Sequence, residues 1–255
     1  MTNKVVTKQI FDRKLWLNNQ LRYNKNSTNY NFIYEEVARI ILENIEIQNR
    51  QFKNILEINK RHDLFAEKFK NYNYQFTDLN SIANEDNFIF PDLKFDLIIS
   101  NLDLHFINDV NNFLSAAKSR LNQGGLFIAS FFGDENLPEL AKAINAAENE
   151  IYQGVNLRTI PYIDVKTAAH LLNFNGFSNP ISSIEKITID YSHPAKLLQD
   201  IKNSGQGNIL QQRSRRFFTK TLLAKLYEKF NQFYAPTTAS YQVNLNIVII
   251  SGEAK

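Results

Sequence analysis

A run of polar residues follows one of the most apolar segments of the chain. Within residues 95–110, the apolar run Leu97–Ile99 ends at Ser100 and Asn101, and a helix is predicted to open at Asn108. A buried strand that breaks into a polar tip and then a helix is typical of an open parallel sheet. Such sheets bind ligands at the carboxyl ends of their strands. The polar tip, with the amide of Asn101, is therefore a candidate ligand-binding site.

Residue types and spacing exclude several other kinds of chemistry. The chain has no cysteine, so disulfides, zinc–thiolate sites and thiol catalysis are excluded. The histidines have no ligand-like spacing to one another or to carboxylates, so no metal site is predicted. They are His62, His105, His170 and His193. No nucleophile elbow, Walker loop or Ser-His-Asp arrangement occurs in the sequence.

Helices and strands alternate along the chain and would position this tip. Helices are predicted at 10–22, 31–45, 64–69, 111–121, 138–153, 162–172, 194–204 and 214–234. Strands are predicted at 54–58, 75–79, 96–100, 126–132, 184–191 and 241–251. Alternation at this pitch predicts an α/β fold with a parallel sheet, and the last two strands could form an antiparallel edge.

Composition and charge indicate one domain with appendages. The 255 residues contain no internal repeat, low-complexity tract or long linker. We assign 1–50 to N-terminal helices and 51–255 to the core, with a helical insertion at about 194–235. Apolar runs are too short to span a bilayer, and the absence of cysteine and of an export signal fits a reducing cytoplasm. The net charge of +3 is weak evidence for an anionic partner.

Several segments in order resemble a known family over most of the chain. They are Phe11-Asp12-Arg13, Glu35-Glu36-Val37, Phe95–Asp109, Gly125-Leu126-Phe127-Ile128, Leu171-Leu172 with Gly176-Phe177, and Ala239-Ser240-Tyr241-Gln242. They are similar to class I S-adenosylmethionine (SAM) methyltransferases, and above all to two groups. One is the methyltransferase-like family implicated in respiratory complex I assembly, and the other is the malonyl-carrier-protein O-methyltransferases. The resemblance implies a Rossmann-like sheet, mostly parallel with an antiparallel last strand, and SAM as the cofactor.

The segment that aligns with the family's cofactor loop has lost its glycines. Class I methyltransferases end the first strand with an acid and a glycine-rich turn, which lets the backbone pass close beneath SAM. Glu57 keeps the acid, but Asn59, Arg61 and Asp63 occupy the glycine positions. Arg61 would bring a cation towards a cofactor that already carries a sulfonium charge. We favour an ordinary strand-to-helix turn with a charged surface here.

A second departure from the family lies between Phe69 and Phe95. This interval is too short for the usual second strand, its helix and a third strand, so one βα unit is predicted to be missing. Asp78 is the substitute for the acid that chelates the ribose hydroxyls, or an ordinary turn residue. Asn84 aligns with the adenine-binding acid. If a cofactor binds, the resemblance implies Glu57, Asn59, Arg61, Asp78, Asn84 and Asn101 as its contacts.

Substrate-facing residues are also implied by the resemblance. His105 lies where methyltransferases place residues that face the substrate, and it could be a general base or an orienting group. A structural histidine at a strand–helix junction is the interpretation that we favour. Trp16, Tyr30 and Phe32 could form an N-terminal lid near the turn after Ser100, and aromatic core packing is an equal alternative.

A basic cluster in the last predicted helix is a further candidate. It consists of Arg213, Arg215, Arg216 and Lys220, which could bind phosphate or nucleic acid. We find no aromatic platform motif beside it, so a solvated helix face is favoured and a nucleic-acid partner is not.

By resemblance, the leading function is a methyltransferase-like assembly factor for a respiratory complex, or a protein-modifying homologue, with a degenerate SAM site. Family members are linked to arginine hydroxylation as well as to methylation, so the fold does not fix the reaction. One alternative is an active SAM-dependent methyltransferase with an unorthodox cofactor loop. Another is a non-catalytic scaffold whose old cofactor cleft binds a protein or another small molecule.

Overall fold

The computed structural model describes residues 9–79, 83–84, 87–88, 90–234 and 240–255. The helices are α1 Arg13–Tyr30, α2 Phe32–Ile47, α3 Leu64–Lys68, α4 Val110–Ser119, α5 Pro138–Tyr152, α6 Val165–Phe174, α7 Pro194–Asn203 and α8 Lys220–Phe233. The strands are β1 Asn54–Ile58, β2 Asn73–Thr77, β3 Ala83–Asn84, β4 Asn87–Phe88, β5 Phe95–Ser100, β6 Leu121–Phe132, β7 Ser178–Tyr191 and β8 Tyr241–Glu253.

One six-stranded sheet organises the protein, in the order β2-β1-β5-β6-β8-β7. Strands β2, β1, β5 and β6 pair in parallel, whereas β8 runs antiparallel to both β6 and β7. The prediction of a mostly parallel sheet with an antiparallel last strand is confirmed. Because β1 and β5 are neighbours, the loops after Ile58 and Ser100 meet at one edge of the sheet.

The interval between Phe69 and Phe95 contributes one strand to the sheet within the described residues. That strand, β2, pairs with β1 in parallel. The only other described strands of the interval, β3 and β4, pair with each other in a separate two-stranded ladder. The predicted shortening of the sheet agrees with this arrangement.

Alternate residues of the central strands pack on opposite faces of the sheet, as the two-residue period of a strand requires. Leu56 and Ile98 belong to one buried cluster, whereas Ile55 and Leu97 belong to another. The apolar stripe of α2, with Val37, Ile41 and Ile45, joins the second cluster. Helix α4 covers the opposite face with Phe113, Leu114 and Ala117. The N-terminal helices therefore lie on the core itself.

The last helix begins later than predicted. A basic helix was expected over 214–234, but α8 begins at Lys220 because the Thr219 side chain accepts from the backbone N–H of Leu222 and caps it. Arg213, Arg215 and Arg216 therefore lie in the preceding loop, and the helix-face interpretation of this cluster is wrong. In the part of the chain that the structure describes, no helix is long and apolar enough to cross a membrane.

Candidate functional site

The loop after β1 turns its longest side chain into the protein. Asn59 has a backbone φ of 61°, in the left-handed region that asparagine tolerates better than most residues. Two residues later, the Arg61 side chain is only 2% exposed, and its Nη2 lies 2.8 Å from Asp103 Oδ1. The Asp103 side chain is fully buried. The paired arginine and carboxylate thus join the loop after β1 to the turn after β5.

Two tyrosines of the N-terminal helices enclose this ion pair. The Arg61 guanidinium carbon lies 5.1 Å from the ring centre of Tyr23 in α1 and 4.8 Å from that of Tyr34 in α2. Tyr23 OH donates to the Arg61 carbonyl at 2.8 Å. Cation–π contacts gain strength when both partners are desolvated, and both tyrosines are buried here. The helices are therefore fastened to the loop by charge, stacking and hydrogen bonds.

Asp103 is aimed inward by the turn after β5. Leu102 has a φ of 57°, which an unbranched leucine adopts only at some cost, and its N–H bonds to Ser130 hold the turn in place. Asp103 Oδ1 accepts from Asn59 Nδ2 at 2.7 Å as well as from Arg61. Burial raises the pKa of Asp103, and the charge of Arg61 opposes that shift.

A hydrogen-bond chain continues from this pair to the helical insertion. Tyr34 OH accepts from Arg61 Nη1 at 3.2 Å and from Gln206 Nε2 at 2.7 Å, and it donates to the Ser204 carbonyl at 2.6 Å. Gln206 Oε1 lies 2.8 Å from His105 Nε2. Since the Gln206 amide nitrogen is already a donor, its oxygen accepts, and His105 Nε2 carries the proton.

His105 is held as a neutral imidazole. Burial lowers its pKa to about 3, although the Gln206 bond opposes the shift. Its ring packs against Phe106, Phe132 and Tyr162, with centroid distances of 4.1, 5.1 and 5.7 Å. A general base works best with a pKa near the working pH, so this environment favours an orienting or structural role. The catalytic role of His105 stays a prediction.

Asn101 serves the packing of the same edge. Its Nδ2 donates to the Tyr34 carbonyl at 2.8 Å and lies 3.1 Å from His62 Nε2, while its Oδ1 accepts from Ser130 Oγ at 3.0 Å. Burial lowers the pKa of His62 to about 4. All the polar atoms of the Asn101 side chain thus have partners inside the protein.

Glu57, the acid that the sequence retains, is buried at the end of β1. Tyr74 OH donates to its Oε2 from the neighbouring strand β2. Burial raises the pKa of Glu57 to about 7, with the Tyr74 bond and the charge of Lys60 opposing the shift. The carboxyl is therefore partly protonated near neutral pH and is committed to Tyr74.

The two remaining predicted cofactor residues lie outside the six-stranded sheet. Asp78 is exposed after β2 and, with Asn59 and Arg61, borders an open cavity of about 250 Å³ that Trp16 also lines. The backbone of Asn84 pairs with Asn87 in the separate two-stranded ladder. The structure thus brings Glu57, Asn59, Arg61 and Asn101 to one sheet edge, leaves Asp78 at its rim, and sets Asn84 apart.

The loop does not fit the glycine-lined turn that the family resemblance implies. Asn59 reproduces the left-handed backbone that glycine would supply, but the Arg61 side chain fills the interior beside the loop. The expectation of a charged surface turn is also wrong at this point. Only Lys60 and Asp63 follow it, as a pair 2.7 Å apart, while Arg61 is drawn inward by Asp103.

A second, apolar cavity of about 100 Å³ lies towards the insertion. Phe32, Phe132 and Tyr162 line it together with Gln206. The predicted lid residues are divided between these regions. Trp16 is buried in the same cluster as Leu104 and Phe106, Phe32 borders the apolar cavity, and Tyr30 OH accepts from Gln199 of α7 at 2.9 Å.

Sequence reasoning missed the partners that hold Arg61. Asp103 stands two residues beyond Asn101 in the same polar tip, and this position was a usable signal. Tyr23 and Tyr34 were hidden among helix residues, because their apolar spacing predicts only core packing. Gln206 carried no signal, since its contact with His105 spans 101 positions of sequence.

Known proteins resemble this chain over parts of their length. A protein of Rickettsia prowazekii named as a methyltransferase is 33% identical over 154 residues, which cover 60% of this chain and 67% of that protein. The mitochondrial "Arginine-hydroxylase NDUFAF5" of Dictyostelium discoideum is 35% identical over 133 residues, or 52% of this chain and 30% of that protein. The chain therefore spans under a third of that relative's length.

A more distant group is also similar. A malonyl-[acyl-carrier protein] O-methyltransferase of Nitrosospira multiformis is 32% identical over 119 residues, covering 47% of this chain and 37% of that protein. No family model matches the chain.

Proposed function

Because the chain belongs to the class I methyltransferase-like family, we propose that it acts as an assembly factor that binds a protein partner, with a cofactor cleft that no longer takes SAM. The observation that carries this proposal is the buried Arg61–Asp103 pair, enclosed by Tyr23 and Tyr34. The pair stands at the sheet edge where the fold would place the cofactor.

Electrostatics supports the loss of SAM binding. Bound SAM would bring a sulfonium cation close to the always-charged Arg61, in a region where low polarity strengthens repulsion. Moving Arg61 away would leave Asp103 buried without its cation, and breaking such a pair costs about 3–5 kcal/mol. A ligand would have to repay that cost before any net affinity appeared.

Partner and location belong to the same proposal. The names of relatives point to two activities, arginine hydroxylation and O-methylation of a malonyl group on an acyl-carrier protein, and the second name includes a protein. We propose a respiratory-complex subunit as the partner. A closely related proposal is that the protein modifies such a subunit. The proposed location is cytoplasmic, whereas the name of the NDUFAF5 relative places that protein in mitochondria.

Calorimetric titration with SAM and with S-adenosylhomocysteine tests the cofactor claim. The natural protein is expected to bind neither at about millimolar ligand, equivalent to about −4 kcal/mol or weaker. The double variant Arg61→Gly with Asp103→Asn removes both charges together, so no buried ion is left unpaired. Gain of binding in this variant, and none in the exposed control Arg39→Ala, would identify the pair as the obstacle. Micromolar affinity in the natural protein would overturn the proposal.

An active methyltransferase with an unorthodox loop is the second candidate. Asn59 keeps the left-handed backbone of the lost glycine, and the open cavity beside it is also lined by Thr77 and Asp78. Methyl transfer from labelled SAM to a protein extract, abolished by Asp78→Ala, would favour this candidate. Absence of both SAM binding and methyl transfer would rule out this second candidate, and it is the outcome that the leading proposal and a non-catalytic scaffold share.

A further inference from the structure

The loop between α7 and α8 is the most one-sided charged segment of the protein. From Ile201 to Tyr227 the sequence has no Asp or Glu, whereas it carries several lysines and arginines. The cations nearest the start of α8 are Arg213, Arg215, Arg216 and Lys220. We call residues 213–220 the arginine–phenylalanine loop. Its charge favours an anionic surface as partner.

Two phenylalanines stand among these cations. The Phe217 side chain is 89% exposed and that of Phe218 is 39% exposed. Exposed single apolar residues are ordinary, but Phe217 stands between Arg216 and Lys220 in the sequence. Val155 is 57% exposed and Leu157 is 49% exposed, and the Leu157 carbonyl accepts from Ser214 N at 3.1 Å. A backbone hydrogen bond thus joins two segments that each carry exposed apolar side chains.

Specific contacts fix the backbone of this loop. Arg158 Nη1 donates to the Arg216 carbonyl at 2.7 Å, and its guanidinium lies 4.6 Å from the ring centre of Phe218. Arg158 is itself held by the buried Glu148 at 2.8 Å. The Arg216 guanidinium lies 4.8 Å from the ring centre of Tyr152. The loop is a built feature of the surface that presents Phe217 outward.

Within the described residues, neighbouring acids neutralise only one cation of the loop, Arg213. Glu148 is paired with Arg158, Asp12 lies 3.2 Å from Arg213, and Glu150 lies within 2.8 Å of the lysines of α8. Within the described residues, no ion pair joins Arg215, Arg216 or Lys220 to a carboxylate. These three cations are available to an external anion.

We infer that the arginine–phenylalanine loop docks the protein on an anionic lipid bilayer. Phe217 would enter the interface between headgroups and acyl chains, while Arg215, Arg216 and Lys220 contact the lipid phosphates. Apolar insertion combined with cationic attraction is how peripheral segments bind membranes. Three cations without an acidic partner in the described structure suit a uniformly negative surface better than a protein of mixed charge.

Sedimentation with vesicles tests this docking. The full-length protein is expected to bind vesicles of about 70% phosphatidylcholine and 30% phosphatidylglycerol at least tenfold more tightly than pure phosphatidylcholine. Raising the salt from about 0.1 M to about 1 M should release most of it, because the Debye length falls from about 10 Å to 3 Å. This assay is independent of whether SAM binds.

Variants separate insertion from charge. Phe217→Ser should weaken binding to the anionic vesicles about tenfold, since it removes one exposed aromatic group that would otherwise be buried. Phe174→Ser is the matched control, because Phe174 is 80% exposed at the end of α6. Arg215→Gln with Arg216→Gln should weaken binding at least as much, and Lys166→Gln with Lys186→Gln removes the same charge elsewhere.

Tryptophan fluorescence measures how deeply residue 217 enters the bilayer. In Phe217→Trp the added indole should shift its emission to the blue and be quenched by brominated lipids. Equal binding to neutral vesicles, no binding to the anionic ones, or equal loss in the control variants would overturn the inference. Binding to polyglutamate or to a single-stranded oligonucleotide that is insensitive to Phe217→Ser, without vesicle binding, would also overturn it, in favour of an acidic macromolecule.

Discussion

Two loops of this protein carry arginines beside aromatic residues. The arginine is buried in one loop, and two arginines are exposed in the other. In the loop after β1, Arg61 is buried between Tyr23 and Tyr34 and paired with Asp103. In the arginine–phenylalanine loop, Arg215 and Arg216 are exposed. From sequence, the loop after β1 was interpreted as a turn with a charged surface, and the later arginines as a solvated helix face. Arg61 is buried instead, whereas Arg215 and Arg216 are exposed but lie in a loop before the helix.

The difference lies in the partners that tertiary structure supplies. Asp103 arrives from the neighbouring strand β5, already buried, so Arg61 gains a carboxylate that water cannot replace. Near the arginine–phenylalanine loop, Asp12 is paired with Arg213, while Glu148 and Glu150 are paired with cations outside the loop. A charged group is buried at a tolerable cost only where the fold supplies an oppositely charged or hydrogen-bonding partner. An arginine is therefore inward or outward according to contacts far away in sequence.

Removing the carboxylate that pairs with the buried Arg61 should lower the stability of the protein more than any other change considered. Asp103→Asn leaves Arg61 buried without a carboxylate, and we expect the free energy of unfolding to fall by about 3–5 kcal/mol, measured by urea denaturation. The double variant Arg61→Leu with Asp103→Leu should lose much less than the single change, because no ion remains unpaired. An equal loss in both variants would show that packing, and not charge, holds this loop.

The free energy of unfolding is expected to depend on pH through Glu57, which is buried at the end of β1. Its folded-state pKa of about 7 lies above the ordinary value of 4.5 because of burial, so its contribution to stability is present at low pH and is lost as the pH rises through 7. Glu57→Gln should therefore raise the free energy of unfolding by about 2 kcal/mol at pH 8 and change it little at pH 4. Glu67→Gln, on the surface of α3, is the matched control. A benefit that is the same at both pH values would contradict the raised pKa.

Asn59 tests how far the loop depends on its own backbone. Asn59→Ala loses the bond to Asp103 and puts a Cβ residue without a polar side chain at a φ of 61°, for a loss of about 2 kcal/mol. Asn59→Gly loses the same bond but accepts this backbone, so we expect about half that loss. Thermal unfolding compares the two variants. A larger loss in the glycine variant would show that the loop is not strained here.

The smallest effect on stability should come from the outward arginines. Arg215→Gln with Arg216→Gln is expected to change the free energy of unfolding by less than about 0.5 kcal/mol, since neither side chain is in an ion pair in the described structure. The same variant should lose vesicle binding, so function and folding separate at this loop. A loss of stability comparable to that of Asp103→Asn would erase the contrast between the two loops.

The sequence by itself predicted the fold and the place of the site. Local periodicity marked the strands at 54–58, 96–100 and 241–251, and the polar tip after β5 marked the edge where the central strands end. The shortened interval after Phe69 was readable from its length alone. Such features are written locally, because the side-chain period of a strand and the breaks between elements need no distant partner.

Only the tertiary structure decided what that edge contains. The structure brings Glu57, Asn59, Arg61 and Asn101 to one sheet edge, and their role as cofactor contacts stays a prediction. The contacts that Arg61 and Asn101 make depend on Tyr34 and Asp103, which reach them from other elements. The start of α8 at Lys220, which frees the arginines before it, was likewise set by the cap at Thr219 and not by apolar spacing. Burial and charge pairing depend on the three-dimensional neighbours of a residue. Those neighbours are set only when elements distant in sequence come together in the fold.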